Sequence, residues 1–139
     1  MQHVTTRMIT IAAAAAAALA LPAPSAEAAA QGCTPAGGTG TVCVHVHGSG
    51  THVSTVEVSR DKIGKDPICN YSAIIDVTGP DGQNVYHDDS QILHNGACSY
   101  ERAYNKFEVH RDFPSHSHLC GRFFEDGKQQ GGAPCETIS

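Results

Sequence analysis

The sequence predicts an all-β fold: a small antiparallel two-sheet sandwich, immunoglobulin-like in outline and stapled by three disulfides. Three observations lead there. Apolar residues recur with period two over short runs, and clusters rich in Gly, Pro, Asn and Asp separate those runs. The 6 cysteines are an even number in a short chain, which reads as a disulfide framework. Helical periodicity is almost absent beyond the N-terminal segment, which favours two packed sheets over a helix-covered one.

The first segment is not domain material. Met1 to Arg7 is polar with one cation, and Met8 to Leu21 is an apolar run dominated by alanine. Pro22 and Pro24 break it, and Ala26-Glu27-Ala28 places small residues where a signal peptidase reads them. Residues 1–28 are therefore expected to be a secretory signal, cleaved after Ala28. The apolar run is shorter than the roughly 20 residues that cross a bilayer, so no membrane span is expected. Residues 29–40, rich in small residues, Pro and Gly, are expected to form a flexible N-terminal arm fixed at Cys33. Residues 41–139 then form the disulfide-stapled domain.

From Thr41 the period-two pattern begins. Val42, Val44 and Val46 alternate with Cys43, His45 and His47, which predicts a half-buried strand. Gly48-Ser49-Gly50 is a turn, and the return strand covers 51–59. The change of phase between Val53 and Val56 predicts a bulge there. Residues 60–67 read as a polar loop. A third strand is expected over 69–78, and Gly79-Pro80-Asp81-Gly82 turns it into a hairpin partner over 85–92. Asn95-Gly96 is a second turn. Residues 98–104 fit either period, with strand favoured from Ala103 until Phe113-Pro114. Strands over 119–124 and 135–138 flank a Gly-rich excursion. The six cysteines allow fifteen pairings. The sequential scheme is expected: Cys33–Cys43 closes the arm onto the first strand, Cys69–Cys98 ties the third strand to the Tyr100 segment, and Cys120–Cys135 staples the C-terminal hairpin.

The stretches 56–62 (Val-Glu-Val-Ser-Arg-Asp-Lys), 68–71 (Ile-Cys-Asn-Tyr), 78–82 (Thr-Gly-Pro-Asp-Gly), 120–127 (Cys-Gly-Arg-Phe-Phe-Glu-Asp-Gly) and 131–135 (Gly-Gly-Ala-Pro-Cys) resemble a group of uncharacterised small secreted proteins of filamentous actinobacteria. That resemblance implies export, size and cysteine placement, and it lends no catalytic residue.

Function is constrained mainly by exclusion. The formal net charge is −5, and loss of Arg7 and Glu27 with the signal leaves it unchanged. A mildly acidic chain without a basic block is a poor partner for nucleic acid or anionic lipid. Gly48-Ser49-Gly50 is not a nucleophile elbow. Paired cysteines leave no thiolate, and no Gly-rich phosphate loop occurs. His87-Asp88-Asp89 could hold an acid–base pair or an oxygen-rich cation site, but such a cluster is far more often a solvated strand end. The chain is therefore expected to be non-enzymatic and secreted: an extracellular module that binds a protein, peptide or surface ligand.

Two alternatives stand beside it. The chain has 9 histidines. His45 and His47 share one strand face and could hold zinc or copper, with His52 approaching from the turn and no other cofactor expected. His116 and His118 repeat the spacing, whereas His87, His94 and His110 are scattered. His45-Val46-His47-Gly48 resembles a strand of copper-zinc superoxide dismutase, but the further ligands of that family do not follow in order. The second alternative is an inhibitor of an extracellular protease, with Asp126 to Pro134 as the presenting segment.

Overall fold

A computed structural model describes residues 28–90 and 98–139. The signal-like segment before Ala28 and the Asn95-Gly96 turn lie outside them. The described residues contain eleven strands and no helix. Strands β1 (Ala28–Pro35), β2 (Thr41–Ser49), β3 (His52–Asp61) and β8 (Arg102–Asp112) form one antiparallel sheet in the order β1-β2-β3-β8. The second sheet is built from β5 (Tyr71–Thr78), β6 (Asn84–Asp89), β9 (Ser117–Glu125), β10 (Lys128–Gln130) and β11 (Cys135–Ile138). Its order is β10-β9-β5-β6, with β11 sharing the outer edge of β9. Short β4 (Ile68–Cys69) and β7 (Cys98–Ser99) pair as a separate ribbon.

The alternation read from the sequence sets the layers. Val42, Val44, Val46, Val56 and Val58 point inward from the first sheet. They meet Ala73, Ile75, Val77, Leu119 and Phe123 from the second in one buried cluster. Gly121 marks the closest approach of the sheets. A Cβ there would stand 2.8 Å from Val58 Cγ2 and 3.3 Å from Val44 Cβ.

All three disulfides follow the sequential scheme. Each joins residues directly opposite on neighbouring antiparallel strands: Cys33 and Cys43, Cys69 and Cys98, Cys120 and Cys135. Such a bond fixes register, because a slip of one residue would turn the two sulfurs to opposite faces. Three disulfides in a small β domain suit an oxidising compartment. Among the described residues no helix is long and apolar enough to cross a membrane.

Four expectations are corrected. The arm expected to be flexible over 29–40 is largely strand, since β1 pairs with β2 from Ala28↔Gly48 to Pro35↔Thr41. Its small residues serve a close approach instead: a Cβ at Gly32 would lie 2.8 Å from the Cys135 carbonyl oxygen of β11. The turn after the first strand is displaced, because β2 continues through Ser49 and β3 begins at His52. The predicted bulge is present, with Gly48 opposite Val53 and His47 opposite Thr55. Arg60 and Asp61, expected to open a loop, end β3. Arg60 is only 2% exposed and lies opposite Val42 and Ala103. Its Nη1 donates to the Asp61 carbonyl at 3.2 Å and its Nη2 to the Gly37 carbonyl at 3.5 Å. Finally, the Gly-rich excursion before Cys135 contains β10, which pairs back onto β9.

Candidate binding surface

Register across the first sheet lays out its outward face. Gln31, His45, Glu57 and Lys106 stand opposite one another across four strands, and Cys33, Cys43, Ser59 and Tyr104 form the next row. Arg102, on the same face of β8, donates from Nη2 to Glu57 Oε1 at 2.6 Å and lies 3.5 Å from His45 Nε2. Burial, followed by the Arg102 cation, holds the His45 imidazole below its ordinary pKa. A depression of about 350 Å³ opens on this face, lined by His47, Ser54, Thr55, Glu57 and Lys106.

His45 and His47 do share the outward face. The ring nitrogen of His45 meets a guanidinium, however, and among the described residues no group of three His, Cys, Asp or Glu side chains is placed to hold a metal ion. His52 does not join them: its Nδ1 stands 3.1 Å from Asp112 Oδ1 on β8. His116 Nδ1 lies 3.2 Å from Ser115 Oγ, and His118 Nδ1 lies 3.2 Å from Thr137 Oγ1 on β11, so the second His-x-His is also spoken for locally. His110 lies beside Glu108, with Nε2 to Oε2 at 3.1 Å. His94 falls outside the described residues.

The second sheet carries a constellation that local sequence did not reveal. His87 pairs with Asp76 of β5, opposite it in the ladder, and not with the adjacent Asp88 or Asp89. The distance from His87 Nδ1 to Asp76 Oδ1 is 2.6 Å, while Arg122 Nη2 donates to Asp76 Oδ2 at 2.5 Å. Burial alone would raise the Asp76 pKa. The bonds from His87 and Arg122 and the Arg122 charge outweigh it, and the carboxyl sits below its usual range. Asp88 instead accepts from the Tyr86 hydroxyl at 3.2 Å. The cluster is a sheet-face ion-pair network, with no nucleophile bonded to His87 among the described residues.

The segment considered for protease presentation is folded back. Asp126 and Gly127 both have positive φ, 50° and 74°, the geometry of a tight two-residue hairpin turn. Asn70 Nδ2 donates to Asp126 Oδ1 at 2.8 Å, which pins the turn to the start of β5.

Large apolar side chains left in solvent concentrate at one end of the first sheet. Ile63 is 77% exposed, Tyr100 67% and Tyr104 53%. The Lys62 N–H donates to the Glu101 carbonyl at 2.8 Å, so the segments bearing Ile63 and Tyr100 lie side by side. Tyr104 and Arg102 follow on the outward face of β8. All six cysteines are in disulfides, so no free thiol is present. No protein family, no curated protein and no solved structure matches the chain.

Proposed function

We propose that this chain is an exported, extracellular, non-enzymatic module that binds a protein partner through the Ile63–Tyr100–Tyr104 patch and the adjoining sheet face. The observation that carries the reading is the exposure of two tyrosines and an isoleucine beside Arg102 at one end of the first sheet, whereas Val85 on the second sheet stands apart from them. Tyrosine and arginine are the residue types that dominate binding energy at protein interfaces, because each combines a large contact area with a polar group. Export is supported by the signal grammar of residues 1–28 and by cross-strand disulfides suited to an oxidising compartment. The likeness to small secreted actinobacterial proteins belongs to the same proposal. A His45–His47 metal site and a protease-inhibiting 126–134 segment are less supported, given the Arg102 contact and the folded-back hairpin.

Two experiments test this. N-terminal sequencing of the exported protein should begin at or next to Ala29, and a retained Met1 would refute export by this signal. For binding, the immobilised domain should retain a protein from the extracellular fraction that the Ile63→Ser, Tyr100→Ser variant does not. Equal retention by that variant, at an unchanged melting temperature, would refute the patch.

A further inference from the structure

The free edge of β8 carries an inference independent of the partner-binding reading. β8 lies at the end of its sheet, and among the described residues no strand pairs with its other side. The Lys62 N–H to Glu101 carbonyl bond sets the parity of the β3–β8 ladder. In an antiparallel ladder bonded pairs alternate, so residues 103, 105 and 107 turn their backbone groups to β3. Tyr104, Lys106 and Glu108 then direct their N–H and C=O groups to the open edge, and Arg102 adds its C=O there while its N–H donates to the Tyr100 carbonyl at 2.7 Å. Beyond Glu108 the register with β3 shifts and His110 has a φ of +45°, so the regular stretch is 102–108. An open regular edge of this kind templates another strand.

We propose that β8 pairs antiparallel with β8 of a second copy of this chain, with the two-fold axis passing at Asn105, joining the two four-stranded sheets into one. Two features select this register. The first is charge. Pairing must keep inward residues opposite inward residues, so the axis falls on a residue and not between two. An axis at Tyr104 sets Arg102 against Lys106 of the second copy, and an axis at Lys106 sets the two Lys106 side chains together. An axis at Asn105 sets Arg102 against Glu108 and Tyr104 against Lys106, in both directions. The second feature is Asn105 itself. It is 8% exposed, and its Nδ2 finds no hydrogen-bond partner among the described residues. By the parity above, the two Asn105 residues form a non-hydrogen-bonded pair, in which side chains come closest. Each Nδ2 can then donate to the Oδ1 of its mate, satisfying a buried donor that one copy alone leaves unmade.

Sedimentation equilibrium of the oxidised domain, from micromolar to millimolar concentration, tests the proposal. The wild type should show a concentration-dependent dimer. Tyr104→Pro removes an N–H aimed at the open edge and none bonded to β3, so the domain should fold and the dimer should be lost. Glu108→Lys puts like charges opposite each other at both ends of the pairing and should weaken association at least ~10-fold. A wild type that stays monomeric throughout overturns the proposal, as does a dimer indifferent to Tyr104→Pro. A dimer lost with Tyr104→Pro but unaffected by Glu108→Lys overturns the register. Melting temperatures of both variants, measured at low concentration, separate lost pairing from lost folding.

Discussion

Gly121→Ala should destabilise the domain although alanine suits a strand better than glycine does. Removing glycine's extra backbone freedom favours the variant by about 0.5–1 kcal/mol. Against this, the new methyl would sit 2.8 Å from Val58 Cγ2 and 3.3 Å from Val44 Cγ2, both wholly buried. Carbon atoms rest about 3.5–4.0 Å apart, so the sheets must separate or Val58 must leave its rotamer. Overpacking of this kind costs about 1–3 kcal/mol. The overlap wins, and a net loss of about 1–2 kcal/mol should lower the melting temperature by roughly 4–16 °C. The decisive assay is a double-mutant cycle with Val58→Ala, measured by thermal or urea unfolding with the disulfides intact. Val58→Ala alone opens a cavity and should cost ~2 kcal/mol. Combined with Gly121→Ala, the added methyl occupies the space that Val58 Cγ2 vacates, and the double variant should be more stable than the sum by about 1 kcal/mol. Additivity to within ~0.5 kcal/mol would refute the claim that the sheets meet at Gly121.

Replacing each disulfide by an alanine pair should destabilise in the order Cys69–Cys98, Cys120–Cys135, Cys33–Cys43. Their sequence separations are 29, 15 and 10, and loop-closure entropy gives roughly 3.6, 3.0 and 2.7 kcal/mol; unfolding of the three variants checks the order. Asp76→Asn should cost about 1–2 kcal/mol near neutral pH, since Asp76 is 22% exposed and bonded to the Arg122 guanidinium and the His87 ring. Its carboxyl is depressed on folding, so this stability is full above the unfolded-state value near ~3.9 and is lost as pH falls through the lower folded value. Stability measured against pH should therefore fall less steeply in Asp76→Asn than in wild type below about pH 4. Micromolar zinc or copper should leave the melting temperature unchanged, and a rise abolished by His45→Ala with His47→Ala would reinstate the metal site.

What the sequence disclosed, and what it hid, follows from the range of the interactions. The inward valines of β2 and β3 were legible because period two is a local property, and the bulge was legible as a break in that period. The cysteine pairs were legible because each closes a neighbouring-strand ladder. β1 was not, since Ala, Gly, Gln and Pro carry no alternation and the strand is held by backbone pairing and one disulfide. Arg60 was missed because one polar residue at the end of an apolar run reads as the start of a loop. The Asp76–His87 pair was hidden by the register shift between Val77 and Thr78: counting back from Thr78 opposite Asn84 would set Asp76 against Tyr86, and the shift sets it against His87 instead. Arg102 reaches His45 and Glu57 across sequence separations of 57 and 45 residues, beyond any local pattern. The Ile63–Tyr100 patch depends in the same way on a loop-to-strand contact.

Hydrogen–deuterium exchange on the captured complex tests the central claim, partner binding at the Tyr100 end of the sheet, most directly. Binding should protect the peptides spanning 62–66 and 100–106 and leave 126–134 and the His87 strand unchanged. Protection confined to 126–134 would contradict this account in favour of an inhibitor, and no protection at either place would remove the patch from the interface.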